Sequence, residues 1–340
     1  MILKEALLNS EIIRIKQFLK ENGLDYENNI TKSFYIEEND IVVASVSIFN
    51  NVIKCFAVSK EYRSENYGGI LISHIINYFY ENKIYHYMVY TKKEYLNTFK
   101  NLGFNEIVST DTVVILEAGT PNIQEYLNDL KKKIEYKFEN KLDVCDVASL
   151  VMNCNPITEG HLGLIELASK NHQYLIVFLL EEDLSYFTYK ERMTLVYLAT
   201  LHLPNVIVVP SSSYIVSSLT FPNYFLKDET LKNKEWASTD ALIFKNYFMK
   251  YLNIKYRYVG TESSKIMIDY NNALKEILGS MLIEINRFES NGKIISASLV
   301  RKCIEDGKID EALEYIPRSC RMLFYSMAKE KYLSNDKSRR

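Results

Sequence analysis

Two short stretches of the chain combine residue types that can hold and polarise a phosphate. The first, "NCNPITEGH", runs from Asn153 to His161 directly after an apolar run. Asn155-Pro156 enforces a turn, Gly160 permits a close backbone approach, and His161 falls in the first turn of a following helical pattern. Helix N-terminal N–H groups favour an anion, and an imidazole there can donate to an oxyanion resting on them. Alone, a Gly-His pair reads also as a surface histidine closing a βα loop. The second stretch, "GKIISASLVRKCIEDG", spans 292–307. Ser296 suits a helix N-cap, Ser298 follows two positions on, and Arg301 projects from the same first turns. Hydroxyls and a guanidinium at a helix start form a polyphosphate cradle, although a capped helix with a solvated arginine fits too. The two motifs, in this order on such elements, support each other.

The elements that must position them follow from periodicity. From Val144 onward, apolar strands alternate with helical patterns: "VASLVMN", "GHLGLIELASKN", "YLIVFLLEE", "TYKERMTLVYLATLH", "NVIVVPSS", "STDALIFKNYFMKYL", "KYRYVG", "KIMIDYNNALKEIL" and "LIEINRF". Such alternation predicts a parallel, doubly wound α/β sheet covered on both faces. Ligands bind beyond the carboxyl ends of such strands, where strand order reverses. The first ~115 residues read instead as α+β: a helix at 9–22, within an N-terminal stretch that is amphipathic from its first residues, then strands punctuated at Glu38-Asn39-Asp40 and Asn50-Asn51. After Gly119-Thr120-Pro121, the stretch "NIQEYLNDLKKKIEYKFENK" reads as a charged amphipathic connector. The division expected is 1–118, a helical connector 119–142, and 143–340 with C-terminal helices.

Composition bounds the remaining classes. With 41 Lys+Arg against 43 Asp+Glu in 340 residues, there is no global basic field to recruit nucleic acid. Apolar runs such as "YLIVFLL" are too short to span a bilayer, and the N-terminus lacks a signal-peptide pattern, so no membrane association is expected. Five cysteines without a CxxC pair argue against a disulfide framework or zinc site and fit a reducing cytoplasm.

The motifs carry a resemblance. "TEGH", with Thr158 first and His161 last, resembles the [HT]xGH signature of the nucleotidyltransferase superfamily. "ISASLVR" resembles its ISxTxxR motif, with Ser298 where Thr is common, and "YVGTES" (258–263) resembles its adenosine-receiving segment. Together with "MNCNPITEGH", "EEDLSYFTYKERMTLV", "HLPNVIV" and "SYIVSSLTFPNYFLKD", they are similar in order and spacing to the citrate lyase ligase family. The family's N-terminal acetyltransferase-like domain extends the resemblance over nearly the whole chain.

The resemblance implies an acid–thiol ligase that uses ATP and Mg²⁺ to activate acetate as acetyl-AMP, releasing pyrophosphate. It then acetylates the prosthetic thiol of the citrate lyase acyl-carrier subunit. On that implication His161, Thr158 and Arg301 are catalytic. His161 and Thr158 meet the α-phosphate, Asn155 and Pro156 shape the turn, and Ser296, Ser298 and Arg301 hold the β- and γ-phosphates. Gly260, Thr261 and Glu262 line the adenosine site, Gly160 leaves room for the nucleotide, and Arg192 reaches a phosphate. Catalysis would be positioning plus electrostatics, with no protein nucleophile or resident metal ligand.

"VSKEYRSENYGGILISHII" resembles the cofactor motif of the GNAT acetyltransferase fold, with Arg63, Asn66 and Gly68 at its signature positions. Asn66 replaces a glycine and must tolerate positive φ. "FKNLGF" (99–104) resembles a later GNAT segment. A CoA-like ligand is implied there, and no general base stands out. The fold expected is therefore a GNAT-like α+β domain followed by a Rossmann-like nucleotidyltransferase domain.

Other residues carry less. Lys190 opens a helix as a solvated charge, and Cys154 reads as a packing residue. His74, His86, His172 and His202 read as structural or solvated. "TFPNYFLKD" (220–228) reads as a substrate- or carrier-docking loop, or as loop packing. Two other readings stand beside it: joining a nucleotide to a phosphorylated cofactor precursor by the same chemistry, or sensing a nucleotide without turnover, against which the intact "TEGH" and "ISASLVR" motifs argue.

Overall fold

The computed structural model describes residues 1–340 except 140, 182–184, 216–220, 223, 227, 288, 291–292 and 340. Gly292, residues 182–184 and 216–219, and three positions of the 220–228 loop therefore lie outside the described residues. The chain forms two compact units. One comprises Met1–Tyr126 with Thr220–Thr239, the other Leu127–Leu219 with Asp240–Arg340.

The first unit contains β1 (Ile2–Glu5), α1 (Asn9–Glu21), β2 (Lys32–Glu38), β3 (Ile41–Phe49), β4 (Val52–Val58), α2 (Tyr67–Glu81), β5 (His86–Lys92), α3 (Leu96–Asn101), β6 (Asn105–Ser109) and β7 (Val113–Gly119). Its sheet runs β1-β2-β3-β4-β5-β7-β6, antiparallel except between β4 and β5. Left-handed Asn39, Asp40 and Asn50 turn the hairpins, as the Asn/Asp punctuation predicts. β1 departs from the helical reading of the N-terminus. Its pairing with β2, from Ile2↔Glu37 to Glu5↔Phe34, overrides a local helical pattern. β4 and β5 pair only at Val52↔Met88 and Ile53↔Val89, then splay.

In the second unit, α4 (Ile123–Lys137, belonging to this unit from Leu127) precedes β8 (Val147–Met152), α5 (Glu159–Asn171), β9 (Tyr174–Leu179), α6 (Tyr189–Thr200) and β10 (Val206–Pro210). α7 (Glu229–Ile243), whose residues up to Thr239 belong to the first unit, continues as a π-helical turn, Phe244–Met249. Then come β11 (Ile254–Gly260), α8 (Lys265–Leu278), β12 (Leu282–Ile285), α9 (Ala297–Glu305), α10 (Ile309–Ala312) and α11 (Arg321–Arg339). The sheet β10-β9-β8-β11-β12 is parallel throughout. Its order reverses between β8 and β11, which opens a crevice beyond their carboxyl ends. Helices cover both faces, and β9 shows why its residues are apolar throughout. Leu175, Val177 and Leu179 join a core with α5 and α6, while Phe178 meets Phe244 and Phe248 edge-on on the other side.

The two compact units differ from the linear division expected from sequence at one internal segment. Residues 220–239 belong with the first unit, where Phe221, Tyr224, Phe225 and Leu226 are buried. Tyr224 Oη donates to Tyr90 O at 2.8 Å, its backbone N–H donates to Glu27, and its carbonyl accepts from Asp25 N–H. The 119–142 connector is helical over Ile123–Lys137, in keeping with its amphipathic pattern, and its apolar stripe is packed. Leu127, Leu130 and Ile134 recur on one buried stripe, and Phe138 stacks on Tyr174 at 3.9 Å.

Candidate active site

β8 delivers the chain to the crevice, and the loop after it is shaped from beneath by Arg192. This arginine, expected at a phosphate, is fully buried on α6. Its Nη1 donates to the Asn153 carbonyl and Oδ1, both at 2.9 Å, and Nε donates to Phe187 O at 3.1 Å. Spent on these acceptors, the guanidinium fixes the loop. Asn155 Oδ1 accepts from Phe187 N–H at 2.9 Å, and Pro156, in cis after it, is buried. Both shape the turn, with the Asn155 side chain and the proline ring directed into the protein. Cys154 is buried with its thiol pushed up to about 12 by desolvation, so it is no nucleophile.

α5 opens with Thr158 as N-cap and His161 at the third helical position. The pair forms a reciprocal capping box in which histidine takes the place of the usual Glu or Gln. The Thr158 backbone N–H donates to His161 Nδ1 at 3.0 Å, and Thr158 Oγ1 accepts from His161 N–H at 3.4 Å and lies 2.9 Å from Nδ1. A neutral imidazole with Nδ1 as acceptor carries its proton on Nε2. Burial, and then the positive charge of Arg287, push the ring down to about 4. His161 is therefore a neutral Nε2–H donor at pH 7. Thr158, expected at the α-phosphate, is 1% exposed and instead positions His161.

The second motif meets the first directly. Ser296 Oγ caps α9 by accepting Leu299 N–H at 3.2 Å. One turn on, Arg301 Nη2 donates to the exposed Ser298 Oγ at 3.0 Å, and Nη1 donates to Asn155 O at 2.5 Å. Gly160 lies against Ile295: a β-carbon there would sit 3.5 Å from the Ile295 Cβ and O. That is ordinary contact without positive φ, so the glycine leaves space between the starts of α5 and α9 and meets no steric demand.

At the end of β11, the turn Gly260-Thr261-Glu262 is held from two sides. Gly260 O accepts from Asn271 Nδ2 at 3.0 Å, and Thr261 N–H donates to Ile285 O at 2.8 Å. A β-carbon on Gly260 would meet nothing within 4 Å, so the turn faces open space. Sequence reading missed Arg287, just beyond β12. Its N–H donates to Thr261 Oγ1 at 3.1 Å, its Nε to Thr261 O at 2.7 Å, and its Nη2 to Glu262. Glu262, expected near adenosine, is thus an ion-pair partner. The only sequence signal was a basic residue following an apolar strand.

Of the remaining histidines, His202 is exposed and the other three are partly buried in contacts of their own. His172 bonds Asp146 at 2.7 Å and Tyr258 Oη at 2.8 Å, His86 lies 2.9 Å from Glu117, His202 pairs with Glu166, and His74 packs edge-on against Phe34.

The first unit holds a cavity of about 530 Å³ where β4 and β5 splay, lined in part by Phe56, Val58, Arg63, Gly68 and Lys92. Asn66 adopts φ 57° at the N-cap position of α2, without a side-chain capping bond. Its side chain lies over Gly69, where a β-carbon would come within 2.5 Å of Oδ1.

Fold and site together define a doubly wound α/β unit with a donor-rich crevice at its topological switch point, preceded by a mixed-sheet α+β unit. Residues 147–324 match the family model described as the citrate lyase ligase C-terminal domain. The chain is 32% identical to the [citrate [pro-3S]-lyase] ligase of Escherichia coli (strain K12), covering 91% of this chain and 89% of that one. It is 31% identical to the Haemophilus influenzae ligase of the same name, covering 89% and 92%. The chain belongs to the citrate lyase ligase family, whose members are acid–thiol ligases. Solved structures similar to its N-terminal part include a GNAT-family acetyltransferase from Staphylococcus aureus (14% identity, TM-score 0.30) and an acyl-CoA N-acyltransferase from Pseudomonas aeruginosa (11%, 0.30). Each is matched over its full length and covers 35% of this chain. Among the described residues, no helix is long and apolar enough to cross a membrane.

Proposed function

We propose that this protein activates citrate lyase by ATP-dependent acetylation of the prosthetic-group thiol on the lyase's acyl-carrier subunit. In the first step an acetate oxygen attacks the α-phosphorus of ATP in line. The new O–P bond forms as the bond from the α-phosphorus to the bridging oxygen breaks, and pyrophosphate leaves with that electron pair. The carrier's thiolate then attacks the acetyl carbonyl, and AMP leaves. Neither step needs a protein nucleophile, so the protein's part is to position and to stabilise charge.

The observation that carries this reading is the bond from Arg301 to Asn155 O, which joins the two candidate phosphate elements. His161 Nε2–H serves the α-phosphate oxygens, and the start of α9, with Ser296, Ser298 and Arg301, serves the β- and γ-phosphates. Gly260 and Thr261 line the adenosine side. A donor set of one neutral imidazole and two guanidiniums suits phosphate oxygens and not a bare divalent cation. Mg²⁺ accordingly arrives as part of the substrate, on the phosphates. The cavity of the first unit suits an extended, thiol-ended CoA-like arm with its anionic end toward Arg63 and Lys92.

Mass spectrometry of the carrier after incubation with this protein, ATP, Mg²⁺ and acetate tests the reading. One acetyl group gained on the prosthetic thiol is the expected result, and an unmodified carrier rejects it. Pyrophosphate–ATP exchange that needs a phosphorylated acceptor instead of acetate would identify a cofactor nucleotidyltransferase.

A further inference from the structure

We propose that Arg287 is a further catalytic residue, supplying the positive charge at the reacting phosphate that a neutral His161 does not. The inference rests on the adenylation reading above and deepens it. In the attack of acetate on the α-phosphorus, two anions approach, and negative charge grows on the non-bridging and leaving oxygens. The donor at the start of α5 is uncharged, because Nδ1 is committed to the Thr158 N–H. Of the two candidate guanidiniums, Arg301 is directed to the α9 end of the site by its bonds to Asn155 O and Ser298.

Arg287 stands on the other wall. It follows β12, and three bonds tie it to the turn that ends β11: N–H to Thr261 Oγ1, Nε to Thr261 O, and Nη2 to Glu262. β11 pairs directly with β8, so this turn and the loop leading to His161 flank the same switch-point crevice. The bonds to Thr261 and Glu262 use the Nε and Nη2 sides of the fork, leaving Nη1 for a ligand oxygen. The positive charge of Arg287 is, after burial, the second cause that lowers the His161 pKa. A tethered side chain also loses little rotamer freedom when it meets substrate, the condition for preorganised charge stabilisation. Glu262 partly neutralises Arg287 in the free protein. The nucleotide's phosphates would compete for that charge, so the pair is a tether and not a sink.

A purely structural Arg287 would only clamp the 261–262 turn, and the two roles differ in what they move. Acetate-dependent exchange of labelled pyrophosphate into ATP is measured for the full-length wild type, Arg287→Gln, Arg287→Lys and Glu262→Gln. The expected result is that R287Q lowers the exchange kcat by about 10²–10³, the usual loss for one transition-state donor, with a much smaller change in KM for ATP. R287K keeps the charge without the planar fork and should recover part of that loss. E262Q keeps the cation and should stay within about tenfold of wild type. Independently of activity, an NMR titration of labelled histidine should show the His161 pKa rising in R287Q. Exchange by R287Q within about threefold of wild type would overturn the proposal. So would equal losses in R287Q and E262Q that fall on KM alone. Absence of acetate-dependent exchange in the wild type would instead remove the adenylation reading, and this proposal with it.

Discussion

His161 Nδ1 accepts the backbone N–H of Thr158 at 3.0 Å, and this bond decides that the neutral ring carries its proton on Nε2. Because the donor is backbone, the orientation survives changes at the Thr158 side chain. The same four residues therefore start a helix and set the tautomer of its proposed catalytic donor.

Replacing His161 by Ala should cost about 10²–10³ in acetate-dependent turnover, the loss typical of one removed oxyanion donor, while ATP binding survives in part. Thr158→Val keeps the backbone donor to Nδ1 and loses only the hydroxyl cap. It should lower stability by about 1 kcal/mol with a much smaller effect on kcat. Steady-state kinetics of the two variants beside urea unfolding checks the split, and equal kinetic losses would return Thr158 to the reacting atoms.

The ring's pKa near 4, below its unfolded value of about 6.5, fixes the sign of a pH effect. Between those values the unfolded chain binds the proton and the folded chain does not, so acid favours unfolding. The stabilising contribution is complete above about pH 6.5 and is lost as pH falls toward 4. Urea midpoints of wild type and His161→Asn at pH 7.5, 6 and 5 should converge as pH falls. A pH-independent difference would show that the ring is not held neutral.

Arg192 should behave as a stability residue with a kinetic consequence. Arg192→Met removes this donor from the Asn153 carbonyl and from Phe187 O, and taking the partner from a buried group such as Phe187 O costs about 1–3 kcal/mol. A lower urea midpoint should accompany a reduced kcat, since the loop into His161 loosens. Unchanged stability with a raised KM for ATP would instead make Arg192 a phosphate ligand.

What was legible in the sequence was what local pattern determines. The parallel unit declared itself because its central strands β8 and β9 are buried on both faces, and Asn155, Gly160, His161, Ser296 and Arg301 fell at or near helix starts. Thr158 and Arg192 were visible as polar residues beside the motif, yet nothing local showed that their polar atoms face inward, because that depends on Asn153 and Phe187 arriving from other elements. Arg287 lies 26 residues from Thr261, and only the β11–β12 pairing joins them. The N-terminal β1 was hidden by an amphipathic pattern that pairing with β2 overrides.

The assignment of residues 220–239 to the first unit makes the last prediction. Tyr224 Oη donates to Tyr90 O across 134 residues of sequence, on the edge of β5 that the splaying from β4 leaves open. Tyr224→Phe keeps the ring and its packing and removes only the donor. The Tyr90 carbonyl then lacks this partner in a buried setting, a change worth about 1–3 kcal/mol. The loss should be local first: amide protection by hydrogen–deuterium exchange should fall in His86–Lys92 and around Asp25 and Glu27, whose groups bond the Tyr224 backbone. Protection in β8 and β9, which belong to the other unit, should stay at the wild-type level. Loss confined to the second unit, with β5 unaffected, would show that this segment is no part of the N-terminal fold.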